Sequence, residues 1–457
     1  MRLICSLVFA LSLLAAEPAD WIFTGRYVVT MDPQRRVIEN GAVAVRGDSI
    51  VAVGKQGELD LRFKAAQRLD RPDALLTPGL ISTHTHAAMS LFRGLADDVR
   101  LQEWLERYIF PAEKRNVDSE FVRWGTRLAC LEMLLSGTTT YADMYYFQAV
   151  VAEATKEAGM RGVMGETIIR FPSPDAKTPD QALRYTEGFI RRFLNDPLIT
   201  PAPAPHAIYT NSDEALKASR ALANRYGVPL LMHSAETRQE RDDLLAQRKL
   251  SPTRVLETLG LLEGRTVLAH AVWVDDNDLR ILKSHNAGIA HCPSSNTKLS
   301  SGAAPVQKML DLDIAVGLGT DGPAGSNNDF SLFEEMDLAA KLQKLVTGNP
   351  QALPAASAFE MATIRGARAL GLEKQTGSLE PGKRADLITI RLDHPNAIPL
   401  YNVYSHLVYA LKSADVQDVM VNGRVVVRDR QCLTLDAAAI RTKADEYGRR
   451  VQRSLAK

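Results

Sequence analysis

Only four cysteines occur in 457 residues. Cys5 lies in the first apolar run, and Cys130, Cys292 and Cys432 are scattered, so neither a disulfide framework nor a zinc ribbon can be built from them. Neither sign of charge is in excess: 55 basic residues face 54 acidic ones, and nothing points to nucleic acid or an anionic membrane surface. The chain has no internal repeat and no low-complexity linker. No Gly-x-Gly-x-x-Gly opens a helix, which weighs against an open, doubly wound nucleotide-binding sheet. Disorder is excluded, because 46% of the residues are hydrophobic.

One apolar run stands at the very start. Arg2 precedes Leu3 to Leu14, and Ala15-Ala16-Glu17-Pro18 follows. A basic start, a short apolar core and small residues at the end describe a secretory signal peptide over residues 1–16. The run is too short for a mature bilayer span, and no later stretch is apolar enough for one. A buried first strand is the competing reading. Cleavage would place the mature protein outside the cytoplasm, in the periplasm; an uncleaved leader would leave it cytoplasmic.

Past the leader the chain is patterned. Short strands at 21–23, 27–30, 42–45 and 50–54, with Gly and Asp between them, read as hairpins of a small sheet over 17–74. The period then changes. Helical stretches at 120–135, 150–158, 213–226 and 303–310 alternate with short apolar strands at 139–142, 161–164, 229–232, 266–269, 288–290 and 314–317. Pro201 to Pro205 reads as a further strand ending in a rigid turn. Such alternation over about 300 residues describes an α/β fold, a (β/α)8 TIM-like barrel over 75–374. After a helical stretch at 355–370 the β pattern returns over 375–435, where Asn422-Gly423 between two alternating runs signals a hairpin. The two flanking β segments would assemble one small β-sandwich from both chain ends, and 436–457 would close the chain as a helix.

Ile81-Ser82-Thr83-His84-Thr85-His86 is the central stretch. Side chains at i and i+2 leave a strand on one face, so His84 and His86 converge. Downstream, His233, His270 and Asp321 each sit at the C-terminal end of a short apolar run. In a barrel that end is where chemistry is assembled. A lone histidine there is more often structural, but five polar groups at such ends are hard to explain that way. Imidazoles, a carboxylate and a water together suit Zn2+ or Fe2+, which can lower the pKa of a bound water to about 7.

These residues, with Pro78-Gly79-Leu80 before them and His233-Ser234-Ala235-Glu236, His291-Cys292-Pro293-Ser294-Ser295-Asn296, Leu318-Gly319-Thr320-Asp321-Gly322, Ser326-Asn327-Asn328-Asp329 and Gly377-Ser378-Leu379-Glu380-Pro381-Gly382 after them, resemble the amidohydrolase superfamily. The subgroup they resemble is the 5′-methylthioadenosine/S-adenosylhomocysteine deaminases and their chlorohydrolase relatives. The resemblance implies one divalent metal, Zn2+ or Fe2+, on His84, His86, His233 and Asp321. Binuclear relatives carry a lysine at the end of the fourth strand, and here that place reads Ala204-Pro205-His206. By the same resemblance, Glu236 shuttles a proton to a ring nitrogen, His270 orients the water and Asp321 doubles as its base. Glu113 would hold ribose hydroxyls and His206 would contact the purine, while His291 occupies a weaker position of the pattern. Glu236 and Asp321 would also touch substrate.

The chain departs from the pattern at Glu166, where members that bind a homocysteine tail carry an arginine. The expectation is a carboxylate that repels such a tail, with Arg170 and Lys177 as the nearest basic residues. The leading expectation is therefore a metal-dependent aminohydrolase acting on a cyclic amidine, with an adenine nucleoside as its small-molecule partner. A chloro- or aminohydrolase of a triazine or pterin stands beside it, as does an exported binding protein without chemistry. No nucleic-acid partner and no membrane span after leader removal are expected, and a homo-oligomer is left open.

Overall fold

The computed structural model describes residues 16–455, so the leader expected over 1–16 lies, but for its last residue, outside the described residues. Among the described residues no helix is long and apolar enough to cross a membrane, and the strands form three sheets.

The first sheet draws on both chain ends. Four of its strands are β1 (Glu17–Val29), β2 (Val37–Arg46), β3 (Ser49–Lys55) and β4 (Phe63–Pro78). Eight further strands intervene before the rest of this sheet: β13 (Leu387–Arg391), β14 (Val416–Val421), β15 (Arg424–Arg428) and β16 (Gln431–Cys432). The order is β16-β15-β14-β13-β4-β1-β2-β3. Antiparallel pairing of β4 with β13, from Pro78 opposite Leu387 to Ala74 opposite Arg391, is the seam between the two ends. Where two facing layers were expected, the hydrogen-bonded ladder is continuous.

Period two sorts its side chains. Phe23, Val43 and Val45 join one buried cluster, while Ile22, Ala42 and Ala44 join another under the helix Gln56–Arg62. The two separate strands expected at 21–23 and 27–30 are one strand with a register shift between Gly25 and Tyr27.

The other two sheets are parallel. One holds β5 (Leu80–Thr85), β6 (Thr138–Tyr145), β7 (Arg161–Ile168) and β8 (Ile199–Pro205). The other holds β9 (Leu230–Ser234), β10 (Thr266–His270), β11 (Gly288–His291) and β12 (Ala315–Leu318). A parallel bridge between Thr85 and Asp321 joins them on one side. On the other, the His233 N–H donates to the His206 carbonyl at 3.0 Å. Small residues such as Ala142, Ala202, Ala269 and Ala290 form an inner cluster, and alternate residues such as Leu268, Ile289 and Val316 pack outward into the main core. Strands buried on both faces read as continuous apolar runs, and that is how they read in the sequence.

Candidate active site

All of the expected cluster arrives from strand ends. β5 presents His84 and leads directly into His86; β9 carries His233 and β10 ends on His270. Gly319 and Thr320 follow β12 and lead to Asp321. Gly319 is there because nothing larger fits: a Cβ on it would lie 2.9 Å from the backbone N and O of His84. Close approach of the two strand ends lets the Asp321 N–H donate to the His84 carbonyl at 3.0 Å.

Ala235, His270, Ala271 and Asp321 have φ of +53°, +74°, +45° and +60°. Non-glycine residues adopt that region at a cost, and such strain concentrates at functional sites. Here it turns the chain sharply after β9, β10 and β12.

The ring nitrogens and carboxylate converge tightly. His84 Nε2 and His86 Nε2 lie 3.5 and 3.3 Å from Asp321 Oδ1. His233 Nε2 lies 3.4 Å from His86 Nε2. His86 Nδ1–H donates to the Met144 carbonyl at 2.5 Å, and His233 Nδ1–H donates to the His206 carbonyl at 2.8 Å. A carbonyl only accepts, so each ring keeps a proton on Nδ1 and, in its neutral form, offers a lone pair at Nε2. Two lone pairs facing each other at 3.4 Å, with the buried His84 Nε2 unpartnered among the described residues, call for a cation between them. The donor set therefore fits a divalent metal.

Electrostatics agree. Burial pulls the His84 imidazole down to about 4. His233 falls well below the usual range, first by burial and then by the neighbouring histidines. For His86, burial is outweighed by the Asp321 carboxylate, which lifts it to about 9; a metal ion would displace that proton. Asp321 is held well below the usual carboxylate range by His84 and His86 despite its burial.

His270 stands beside this centre. Its Nδ1 meets Asn296 Oδ1 at 3.0 Å, leaving Nε2 3.7 Å from Glu236 Oε2 and 4.0 Å from Asp321 Oδ2. Burial raises the Glu236 carboxyl, which keeps a proton within its reach.

His86, Asp321, Glu236, His270, His206 and Glu113 all line one cavity, whose far wall includes Trp104, Leu105, Ile109 and Phe110. Glu113 is buried and accepts from the Tyr145 hydroxyl at 2.8 Å and the Tyr146 hydroxyl at 3.4 Å. Burial pushes it up to about 7, against the pull of those donors. His206 contacts the Thr210 hydroxyl at 3.1 Å and is pulled down to about 3 by burial. β8 ends at Pro205 with His206 next, so no lysine stands at the end of the fourth parallel strand.

One expectation is corrected. Glu166 does not face the cavity: it shares the outward face of β7 with Met164, while Thr167 lines the wall. Its carboxyl accepts the Gln148 N–H at 2.9 Å and is raised well above the usual range by burial and by Asp175. It repels no substrate tail from there. His291, too, is outside the cavity lining and fully buried.

Sequence reasoning missed Tyr145 and Tyr146, because the β6 run was read only to Ala142, and it missed Glu240. The signal for Glu240 was present: Thr237-Arg238-Gln239-Glu240 has the spacing of a helix capping box.

Comparison with known proteins agrees with this geometry. The model of the amidohydrolase family matches residues 75–426. A 5-methylthioadenosine/S-adenosylhomocysteine deaminase of Syntrophus aciditrophicus is 45% identical over 96% of this chain and 99% of its own. A 5′-deoxyadenosine deaminase of Methanosarcina acetivorans is 40% identical over 94% of this chain and 98% of its own. Among solved structures, an adenosine deaminase from Xanthomonas campestris with bound zinc superposes with a TM-score of 0.94. It is 38% identical and covers 96% of this chain and 100% of its own. Five converging ligand-type side chains, a buried acid beside them and relatives matched from end to end leave one assignment: the chain belongs to the amidohydrolase family.

Proposed function

We propose that this amidohydrolase is a metal-dependent deaminase of an adenine nucleoside, exchanging the ring amino group for the oxygen of water and releasing ammonia. The juxtaposition of Glu236 with His270, beside Asp321 and within one buried cavity, carries the reading. The names of the relatives described above support it.

His84, His86, His233 and Asp321 would hold one ion, Zn2+ by preference and Fe2+ otherwise. Such an ion supplies an acidified water, and so a nucleophile at neutral pH. Asp321 accepts a proton from that water. His270, fixed by Asn296, orients it toward the carbon bearing the amino group. Glu236 delivers a proton to the adjacent ring nitrogen, which lets the ring accept the incoming electron pair. As the tetrahedral carbon collapses, the C–N bond breaks, ammonia leaves with the proton Asp321 took from the water, and the new hydroxyl returns a proton to Glu236 as it becomes the carbonyl.

His206 would contact the purine and Glu113 would accept the ribose hydroxyls, its two oxygens suiting a vicinal diol. Among the described residues, the cavity lining contains no lysine or arginine. A neutral 5′ group, as in 5′-methylthioadenosine, therefore suits the wall better than a zwitterionic amino-acid tail. The scaffold reading is a (β/α)8 barrel over 75–374 with a small β domain from 17–74 and 375–435. Residues 1–16 would be removed on export.

Ammonia release over adenine, adenosine, 5′-methylthioadenosine, S-adenosylhomocysteine, a triazine and a pterin tests the reading. The expected order places 5′-methylthioadenosine and adenosine first. Fastest turnover of the triazine, the pterin or the free base would overturn it. Glu236→Gln is expected to retain one equivalent of metal yet lose about 10²–10⁴-fold in turnover.

A further inference from the structure

Glu240 lies outside the cavity lining, yet it is buried and its carboxyl group reaches the backbone that carries Glu236. It belongs to the first turn of the helix Arg238–Arg248, whose cap is Thr237. The Thr237 hydroxyl accepts the Glu240 N–H at 3.1 Å, which is half of a capping box. In the ordinary motif the glutamate would reach back to the cap's own N–H. Here it passes that group. Its Oε1 accepts the Ala235 N–H at 3.1 Å and its Oε2 accepts the Glu236 N–H at 2.9 Å.

Both oxygens of one carboxylate are thus spent on two consecutive peptides, at the place where Ala235 has φ of +53°. The Ala235 carbonyl is held from the opposite side by the N–H groups of Val272 and Trp273, both at 2.9 Å, in the segment that follows His270. The turn that presents Glu236 is therefore gripped on both edges, and Glu240 supplies one grip entirely. A helix cap alone needs none of this, because the Thr237 hydroxyl already caps the helix.

We infer that Glu240 is a positioning residue for catalysis: it clamps the strained Ala235–Glu236 turn so that the Glu236 carboxyl meets the reacting ring. This rests on Glu236 moving the proton, as proposed above. A carboxylate accepts two N–H groups at once. An amide in its place must turn its NH2 toward one of them, so Glu240→Gln breaks half the clamp at nearly constant volume. Small misplacement of a group that acts only in the transition state lowers kcat more than it raises KM.

The test is a double-mutant cycle on the metal-loaded enzyme with 5′-methylthioadenosine, using Glu240→Gln, Glu236→Gln and the pair, with Thr237→Ala as the cap control. Glu240→Gln is expected to lower kcat at least tenfold with KM changed less than threefold and metal content unchanged. In the Glu236→Gln background the same change is expected to cost less than threefold, because there is no longer a proton-carrying group to place. Thr237→Ala, which loosens the helix end alone, is expected to stay within threefold of wild type. Equal losses from Glu240→Gln in both backgrounds would overturn the clamp and leave Glu240 structural. Full activity of Glu236→Gln itself would instead overturn the proton role on which the inference rests. Should Glu240→Gln fail to fold, Glu240→Asp, one methylene too short to span both N–H groups, is read through the same cycle.

Discussion

Glu113 is a carboxyl group kept where folding alone would not put it. Burial lifts it from an ordinary 4.5 to about 7, and the two tyrosine hydroxyls only partly offset the cost. Below about pH 4.5 the group is protonated in both folded and unfolded chains and contributes nothing to their difference. Between there and about pH 7 the folded chain holds a proton that the unfolded chain has released, so stability falls as pH rises through that window. Above it the deficit is constant, about 2–4 kcal/mol for such a shift. Glu113→Gln keeps an acceptor for Tyr145 and cannot ionise. It should therefore match wild type in urea unfolding at pH 4 and exceed it at pH 8, while losing kcat/KM for nucleosides but not for free adenine. Equal stability difference at both pH values would remove the burial argument. His233 makes the opposite case: its Nδ1 is anchored and its Nε2 is aimed at the metal position. His233→Ala should lose metal and turnover together, read by metal analysis beside ammonia release.

The strand-to-strand connections show which parts of the sequence carried their own instructions. Asn422-Gly423 is a two-residue loop between β14 and β15, with φ of +49° and +78° at its two positions. That is the geometry Asn-Gly favours in a right-twisted hairpin. The glycine is required twice over: a Cβ there would also lie 2.0 Å from the Gly47 carbonyl oxygen, in the turn between β2 and β3. Gly423→Ala should cost about 1–3 kcal/mol, the range for forcing bulk into a filled site. Thermal unfolding checks this, and an unchanged Tm would mean the two turns separate freely. Elements with such local signals were legible, as were the parallel strands, whose apolar runs end in the very histidines and aspartate of the site. What stayed illegible depended on partners far along the chain. Most of β4 was missed because Lys64, Gln67, Arg68 and Asp70 hide its alternation, and its pairing with β1 is what makes it a strand. The helix expected at 303–310 begins only at Val306, since Pro305 can precede a helix but not sit within one. Glu166 was put on the wrong side because a motif match fixes position along a strand but not, without the strand's full extent, which face a residue takes.

Across the whole molecule, distant segments brace the barrel strands and the cavity wall. The buried Arg161 of β7 pairs with Asp386 at 3.0 Å, and its guanidinium also reaches the Pro197 carbonyl and Asn422 Oδ1, so the parallel sheet of β5 to β8 and the C-terminal hairpin share one polar knot. The last helix, Ala437–Leu455, does the same for Glu113. Glu113 sits in the short helix Phe110–Asn116. The C-terminal end of that helix is tied down from outside. Asn116 Nδ2 donates to the Ser454 hydroxyl at 2.8 Å, Arg115 donates to the Ser454 carbonyl at 3.0 Å, and Arg450 donates to the Asn116 carbonyl at 2.8 Å. Tyr447 packs edge-on against Phe121 at 5.5 Å, fastening the next helix as well. Only Ile440 and Val451 of the last helix are buried, with Ala444 and Tyr447 packed part-buried against the main core, so its removal costs some stability by uncovering Phe121, while truncation tolerance follows burial rather than position. The histidines and aspartate of the site stand on strand ends, whereas this helix packs on Ser119–Leu135, Phe110–Asn116 and Ala87–Phe92. A chain ending at Asp436 should therefore fold and bind one equivalent of metal, but hold Glu113 loosely. Its KM for adenosine and 5′-methylthioadenosine should rise about tenfold with kcat changed far less, because a ribose contact made equally in ground and transition states shows in KM. Free adenine, which lacks the diol, should be turned over as by the full chain. An unchanged nucleoside KM would mean the helix Phe110–Asn116 needs no support from the C-terminus, and parallel loss for adenine would mean the damage is general.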